Sequence, residues 1–132
     1  MKIVLFFSII LFNLFTNPLK AQDLPTPQVF NITHELSMGK RNNVIQKDYY
    51  LTLGENQGIF KDTLVDVYRV VSKNDPYQNN RTYTYKIIIG TLRIIHSQSN
   101  TSVARIYKLT SPEDTPIQDV HAIMIGDYIS IR

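Results

Sequence analysis

"YTYKIIIGTLRIIHS", residues 83–97, is the longest strand signal in the chain. It is dominated by Tyr, Thr and Ile, which suit a pleated and half-buried surface. It is interrupted only at Gly90. A lone glycine inside a strand pattern marks a bulge or a bend, as at the corner of a closed sheet.

Similar runs lie on both sides of it. Upstream, "TLVDVYRVV" (63–71) is again rich in β-branched residues, and "SKNDPYQNNRT" (72–82) reads as a polar loop of eleven residues between the two strands. Downstream, "QSN" (98–100) turns and "TSVARIYKL" (101–109) returns. "TSPEDTPIQD" (110–119) is a Pro-rich loop, and "VHAIMIGDYISI" (120–131) is a closing strand or strand pair. Towards the N-terminus, "VIQKDYYLTL" (44–53) sets Tyr49, Leu51 and Leu53 on one face and Tyr50 and Thr52 on the other. "VFNITHELSM" (29–38) alternates, with Phe30, Ile32, His34 and Leu36 expected on one face, and "GKRNN" (39–43) is a turn. "GENQG" (54–58) is expected to reverse the chain tightly from one strand into the next. Gly54 and Gly58 can take positive φ without steric cost, and Asn56 tolerates it better than most residues.

Many short strands punctuated by turns, with no helical pattern, give an all-β class. The expected fold is a small closed or partly open β-barrel of about five to seven mostly antiparallel strands.

Residues 1–21 have another character. Lys2 provides a positive start, Ile3–Phe15 is apolar except for Ser8 and Asn13, Pro18 interrupts, and Ala21 is a small residue at a cleavage point. This is the layout of a secretory signal peptide. The apolar run falls short of the roughly 20 residues that span a bilayer as a helix. The organisation read from the sequence is a signal peptide at 1–21, an extended leader at 22–28 and one domain at 29–132. No membrane span is expected after cleavage. Lys2 and Lys20 leave with the signal, so twelve bases face eleven acids in the remainder. That near-neutral balance, without a basic block, lacks the footprint of a nucleic-acid binder. There is no cysteine. Stability must therefore come from the core, without disulfides.

The residues do not assemble a catalytic set. His34, His96 and His121 lack metal-ligand spacing to other donors, apart from Asp119 two residues before His121, and a site needs three or four ligands. Ser97, Ser99 and Ser102 lie near His96 in a hairpin, without a strained nucleophile turn. The carboxylate pairs Asp62/Asp66 and Glu113/Asp114 sit in turns, loops and a strand. Gly58 is followed by Ile59 and Phe60, so no phosphate cradle forms. Neither an enzymatic activity, a metal nor a cofactor is expected. Tyr49, Tyr50, Tyr68, Tyr77, Tyr83, Tyr85, Tyr107 and Tyr128, with Arg81, Arg93 and Arg105 nearby, raise the alternative of a carbohydrate- or peptidoglycan-binding module.

"GIFKDTLVDVYRV", "IIIGTLRIIHSQSNTSVARI" and "IMIGDYI" together resemble the C-terminal domain of flagellar assembly protein T. The resemblance rests on Gly58 and Ile59, on Val65, Val67 and Tyr68, on Gly90, Leu92 and Ile94, on Ala104 and Ile106, and on Gly126, Asp127 and Ile129. It extends over 33–132. Asp62-Thr63 stands where the family usually has Gly-Asp. The resemblance implies a small β-barrel in a Gram-negative envelope protein that is periplasmic, outer-membrane-associated or secreted. It implies binding of an envelope protein partner. Gly54, Gly58, Gly90, Gly126 and Asp127 are read as structural turns or bends. Pro76 and Tyr77, central in the polar loop, are the candidate partner-binding residues, since loops on a rigid scaffold carry function.

Overall fold

The computed structural model describes residues 25–34, 39, 45–114 and 122–132. The expected signal peptide at 1–21, the first three residues of the leader, Leu36, most of the 39–43 turn, Asp119 and His121 lie outside them. The described chain is all-β. Its strands are β1 (Val29–His34), β2 (Lys47–Leu51), β3 (Leu64–Asp75), β4 (Arg81–Ser97), β5 (Ser102–Leu109) and β6 (Tyr128–Ile131). They form one antiparallel sheet in the order β1-β2-β5-β4-β3-β6.

The β-branched runs form the longest strands, and their parity sets the core. Val65 and Val67 of β3, Ile87, Ile89, Leu92 and Ile94 of β4 and Ala104 of β5 are buried. Tyr49, Leu51 and Leu53 are buried on the face assigned to them, with Tyr50 and Thr52 opposite. β1 departs from the expected alternation. Its register shifts between Val29, opposite Leu51, and Asn31, opposite Tyr50. Phe30 is the extra residue, so Val29 and Ile32 both turn inwards while Phe30 is exposed. A bulge reverses side-chain parity downstream of itself.

Further register shifts occur at Val67/Tyr68 in β3–β4 and at Thr91/Leu92 and Ile94/His96 in β4–β5. Bulges bend strands and increase their twist. The two edge strands of the curved sheet approach each other. The N–H of Val29 donates to the Asp127 carbonyl and that of Gly126 to the Val29 carbonyl, both at 2.8 Å, and that of Ile129 to the Pro27 carbonyl at 2.9 Å. Gln28 bridges Tyr128. Pro27 and Gln28, at the end of the expected leader, thus touch the edge of the sheet.

The segment after β2 does not make the expected hairpin. β2 pairs with β1 and β5, whereas β3 pairs with β4 and β6. Residues 52–63 cross from one to the other along the β4–β5 turn. Glu55 N–H donates to the Gln98 carbonyl at 2.8 Å, Asn56 N–H to that of Ser99 at 2.9 Å, and Ser97 Oγ to that of Ile59 at 2.6 Å. A single 3-10 turn, Glu55–Gln57, lies inside this crossing, and Leu53 and Ile59 are buried beneath it. Gly58 is left-handed, at φ 81°, but Gly54 is extended, at φ −154°. Gly54 is required for another reason. A Cβ there would overlap the Gln98 carbonyl and lie 2.8 Å from Thr101 N. Asp62 takes a left-handed φ of 68°.

Candidate functional site

β3 and β4 run on together past their neighbours. β6 pairs with β3 only over Val65–Tyr68, and β5 pairs with β4 only over Gly90–Ser97. Val70–Asp75 and Lys86–Arg81 then pair with each other alone among the described residues. Six residues of strand reach about 20 Å. The result is a two-stranded arm, 70–86, standing off the six-stranded body.

The eleven-residue loop expected at Ser72–Thr82 is thus mostly strand. Lys73 is opposite Tyr83 and Asn74 opposite Thr82, with Thr82 Oγ1 donating to Asn74 Oδ1 at 2.8 Å. Polar residues concealed the strand in the sequence because both faces of a free ribbon meet water. Only residues 76–80 form the turn. Asp75 Oδ1 accepts from Tyr77 N–H at 2.9 Å, Arg81 N–H donates to the Gln78 carbonyl at 3.0 Å, and Asn79 and Asn80 take positive φ. Pro76 and Tyr77 sit in this turn. Tyr77 is 94% exposed, so its ring covers nothing in the body.

One face of the arm continues the core-facing row, through Val71, Tyr85 and Tyr83 to Arg81, whose guanidinium carbon lies 5.8 Å from the Tyr83 ring centre. Tyr83 and Tyr85 are exposed, while Val71 packs on the core. On the opposite face Lys86 Nζ lies 3.9 Å from the centre of the Tyr68 ring, which stacks on Tyr128 at 5.5 Å.

The root of the arm is fixed by a contact that sequence reading missed. Arg69 Nε and Nη2 donate to Asp127 Oδ1 and Oδ2 at 2.7 and 2.8 Å, and Nη2 also reaches the Ala122 carbonyl. Asp127 is buried and also accepts from Met124 N–H at 2.8 Å. It therefore closes the Gly126 turn and clamps β3 at once. The hydrogen bond to Asp127 raises the pKa of Arg69 against the opposing effect of burial. The available signal was parity: Arg69 lies in register with the core positions Val65 and Val67, where a charge needs a partner.

The remaining candidates do not converge. His34 and His96 are exposed, and Ser97 Oγ is committed to the Ile59 carbonyl. Glu113 and Asp114 lie on an exposed 3-10 turn. Asp66 accepts from Thr91 Oγ1 at 2.9 Å and faces Arg132 at 3.6 Å. No group of three or more potential metal ligands occurs among the described residues, and no helix among them is long and apolar enough to cross a membrane. Gly90 lies in β4 opposite Val67, with β5 close against it. No family model, curated protein or solved structure matches the chain.

Proposed function

We propose that this chain is an exported cell-envelope module, without catalytic activity, that binds a protein partner through the β3–β4 arm. The body is read as a small barrel similar to the C-terminal domain of flagellar assembly protein T. Hydrogen bonds from the Val29 region to the Gly126–Ile129 region support closure of the sheet, and the positive φ of Asp62 at the family's glycine position supports the likeness. The layout of residues 1–21 supports export to the periplasm or outer membrane.

The observation that carries the binding reading is the exposure of Tyr77 at the end of an arm. A turn of five residues has no folding need for a solvent-facing ring, and tyrosine offers a large contact area with few rotors. The carbohydrate alternative relies on free ring faces, yet cations lie over Tyr68, Tyr83 and Tyr107.

Photo-cross-linking from position 77, compared with position 107 on the body, tests the proposal in the native envelope. The expected result is a protein adduct from 77 and none from 107. Adducts from 107 alone would move the site to the body. Retention on purified sacculi that survives Tyr77→Ala, without any protein adduct, would replace the proposal by the saccharide reading.

A further inference from the structure

The β4 side of the arm is an unpaired strand edge. β5 begins its pairing at Gly90, so Arg81–Ile88 has β3 on one side and no strand on the other among the described residues. The sequence along it is Arg-Thr-Tyr-Thr-Tyr-Lys-Ile-Ile, without Pro or Gly. A long edge of good strand formers is a template for another strand, and proteins blunt such edges with bulges, prolines, very short strands or charged side chains; of these devices this edge has only the charges of Arg81 and Lys86. β3 and β4 pair in unbroken register from Tyr68/Ile88 to Asp75/Arg81. The opposite edge, Val70–Asp75, ends in Asn74 and Asp75, which are poor strand formers.

Charge selects the occupant. Outside the arm the described residues carry seven bases and seven acids, whereas the arm carries Lys73, Arg81 and Lys86 against Asp75 alone. The body pairs Arg69, Arg105 and Arg132 with aspartates. In the arm, Arg81 and Lys86 lie over rings, and Asp75 accepts from the Tyr77 N–H. A second copy would bring two cationic ribbons together, which like-charge repulsion opposes. An acidic strand would meet complementary charge.

We infer that the Arg81–Ile88 edge accepts an added β-strand from the partner protein, an extended segment in which β-branched or aromatic residues alternate with carboxylates. This rests on the reading of the arm as the binding element. Main-chain hydrogen bonds to β4 supply affinity, as in other strand-addition complexes. The alternating carboxylates lie on the Lys86 face and meet its ammonium, and one further carboxylate, ending the apolar row beside Arg81, fixes polarity and register. Apolar side chains cover Tyr83 and Tyr85, which continue the core-facing row into solvent.

Selection of a random twelve-residue peptide display library on the purified protein tests this. The expected winners alternate apolar residues with Asp or Glu. A winning peptide should slow amide exchange along residues 81–88, and the double variant Arg81→Glu, Lys86→Glu should weaken its binding at least tenfold while melting within a few degrees of the wild type. Winners that protect only residues 76–80 would end strand addition while leaving the tip of the arm as the site. Winners that bind only the body would sink both readings. Lys/Arg-rich winners, or concentration-dependent self-association that protects residues 81–88, would overturn the acidic occupant.

Discussion

Gly90 shows how one residue sets the path of two strands. A Cβ at that position would lie 2.6 Å from the Lys108 carbonyl oxygen and 3.2 Å from Leu109 Cα. Those are backbone atoms and cannot swing aside. Gly90→Val should therefore destabilise the fold by about 1–3 kcal/mol, the usual range for strain at a special position. A melting curve matching that of the wild type would show that β5 yields at no cost. Tyr49 makes a second case at this scale. Its ring is buried, and burial raises its pKa above the ordinary 10.0. The folded state thus holds the phenol proton more tightly than the unfolded chain does. That contribution is complete below about pH 10 and is lost as pH rises through the raised value. Tyr49→Phe should flatten the alkaline fall in stability. Unfolding curves that steepen equally above pH 10 in both proteins would contradict it. Much at this scale was legible from pattern. A lone glycine in a β-branched run pointed to a bulge or bend, and period-two alternation put Tyr49, Leu51 and Leu53 on one face. The partner of Arg69 was not legible, because Asp127 lies 58 residues away and only the fold brings the two together.

At the scale of elements, the long β3–β4 hairpin follows from composition, and its extent from the neighbours that stop short of it. Residues 72–75 carry no apolar alternation, so their sequence resembles a loop although their backbone is strand. In a ribbon wetted on both faces, strands need no apolar row. "GENQG" was misread for a related reason. Two glycines frame a turn, but the turn's destination depends on sheet order, which local sequence does not encode. The phase of β1 failed at a single bulged residue, Phe30, and one inserted residue exchanges inside for outside. The arm yields its own expectation. Tyr77 touches no part of the core, so Tyr77→Ala should leave the melting temperature nearly unchanged, in keeping with surface substitutions that stay within about 0.5 kcal/mol. The same variant should recover less of an envelope partner on co-purification. Early unfolding would assign Tyr77 to the fold, and undiminished recovery would place binding elsewhere.

Across the whole molecule, the all-β class could be read from strand runs and turn residues, whereas the division into body and arm could not. That division arises where β5 and β6 end relative to β3 and β4, a property of strand lengths and register. The body keeps its core through Val65, Val67, Ile89, Leu92 and Ile94, ties the 52–63 crossing to the β4–β5 turn, and locks the arm's root through Arg69 and Asp127. A two-stranded ribbon alone is marginal in water, so the arm depends on this root for its direction. Beyond Val71, no residue of the arm belongs to the core, so the body is expected to fold without it. The most direct measurement is partner recovery from a native envelope extract by wild-type protein and by a variant in which 72–84 is replaced by Asn-Gly, a pair suited to a two-residue hairpin turn. The shortened protein should melt within a few degrees of the wild type and recover no partner. A shortened protein that folds and recovers the partner undiminished would contradict the arm as the binding element, and one that fails to fold would contradict its independence from the body.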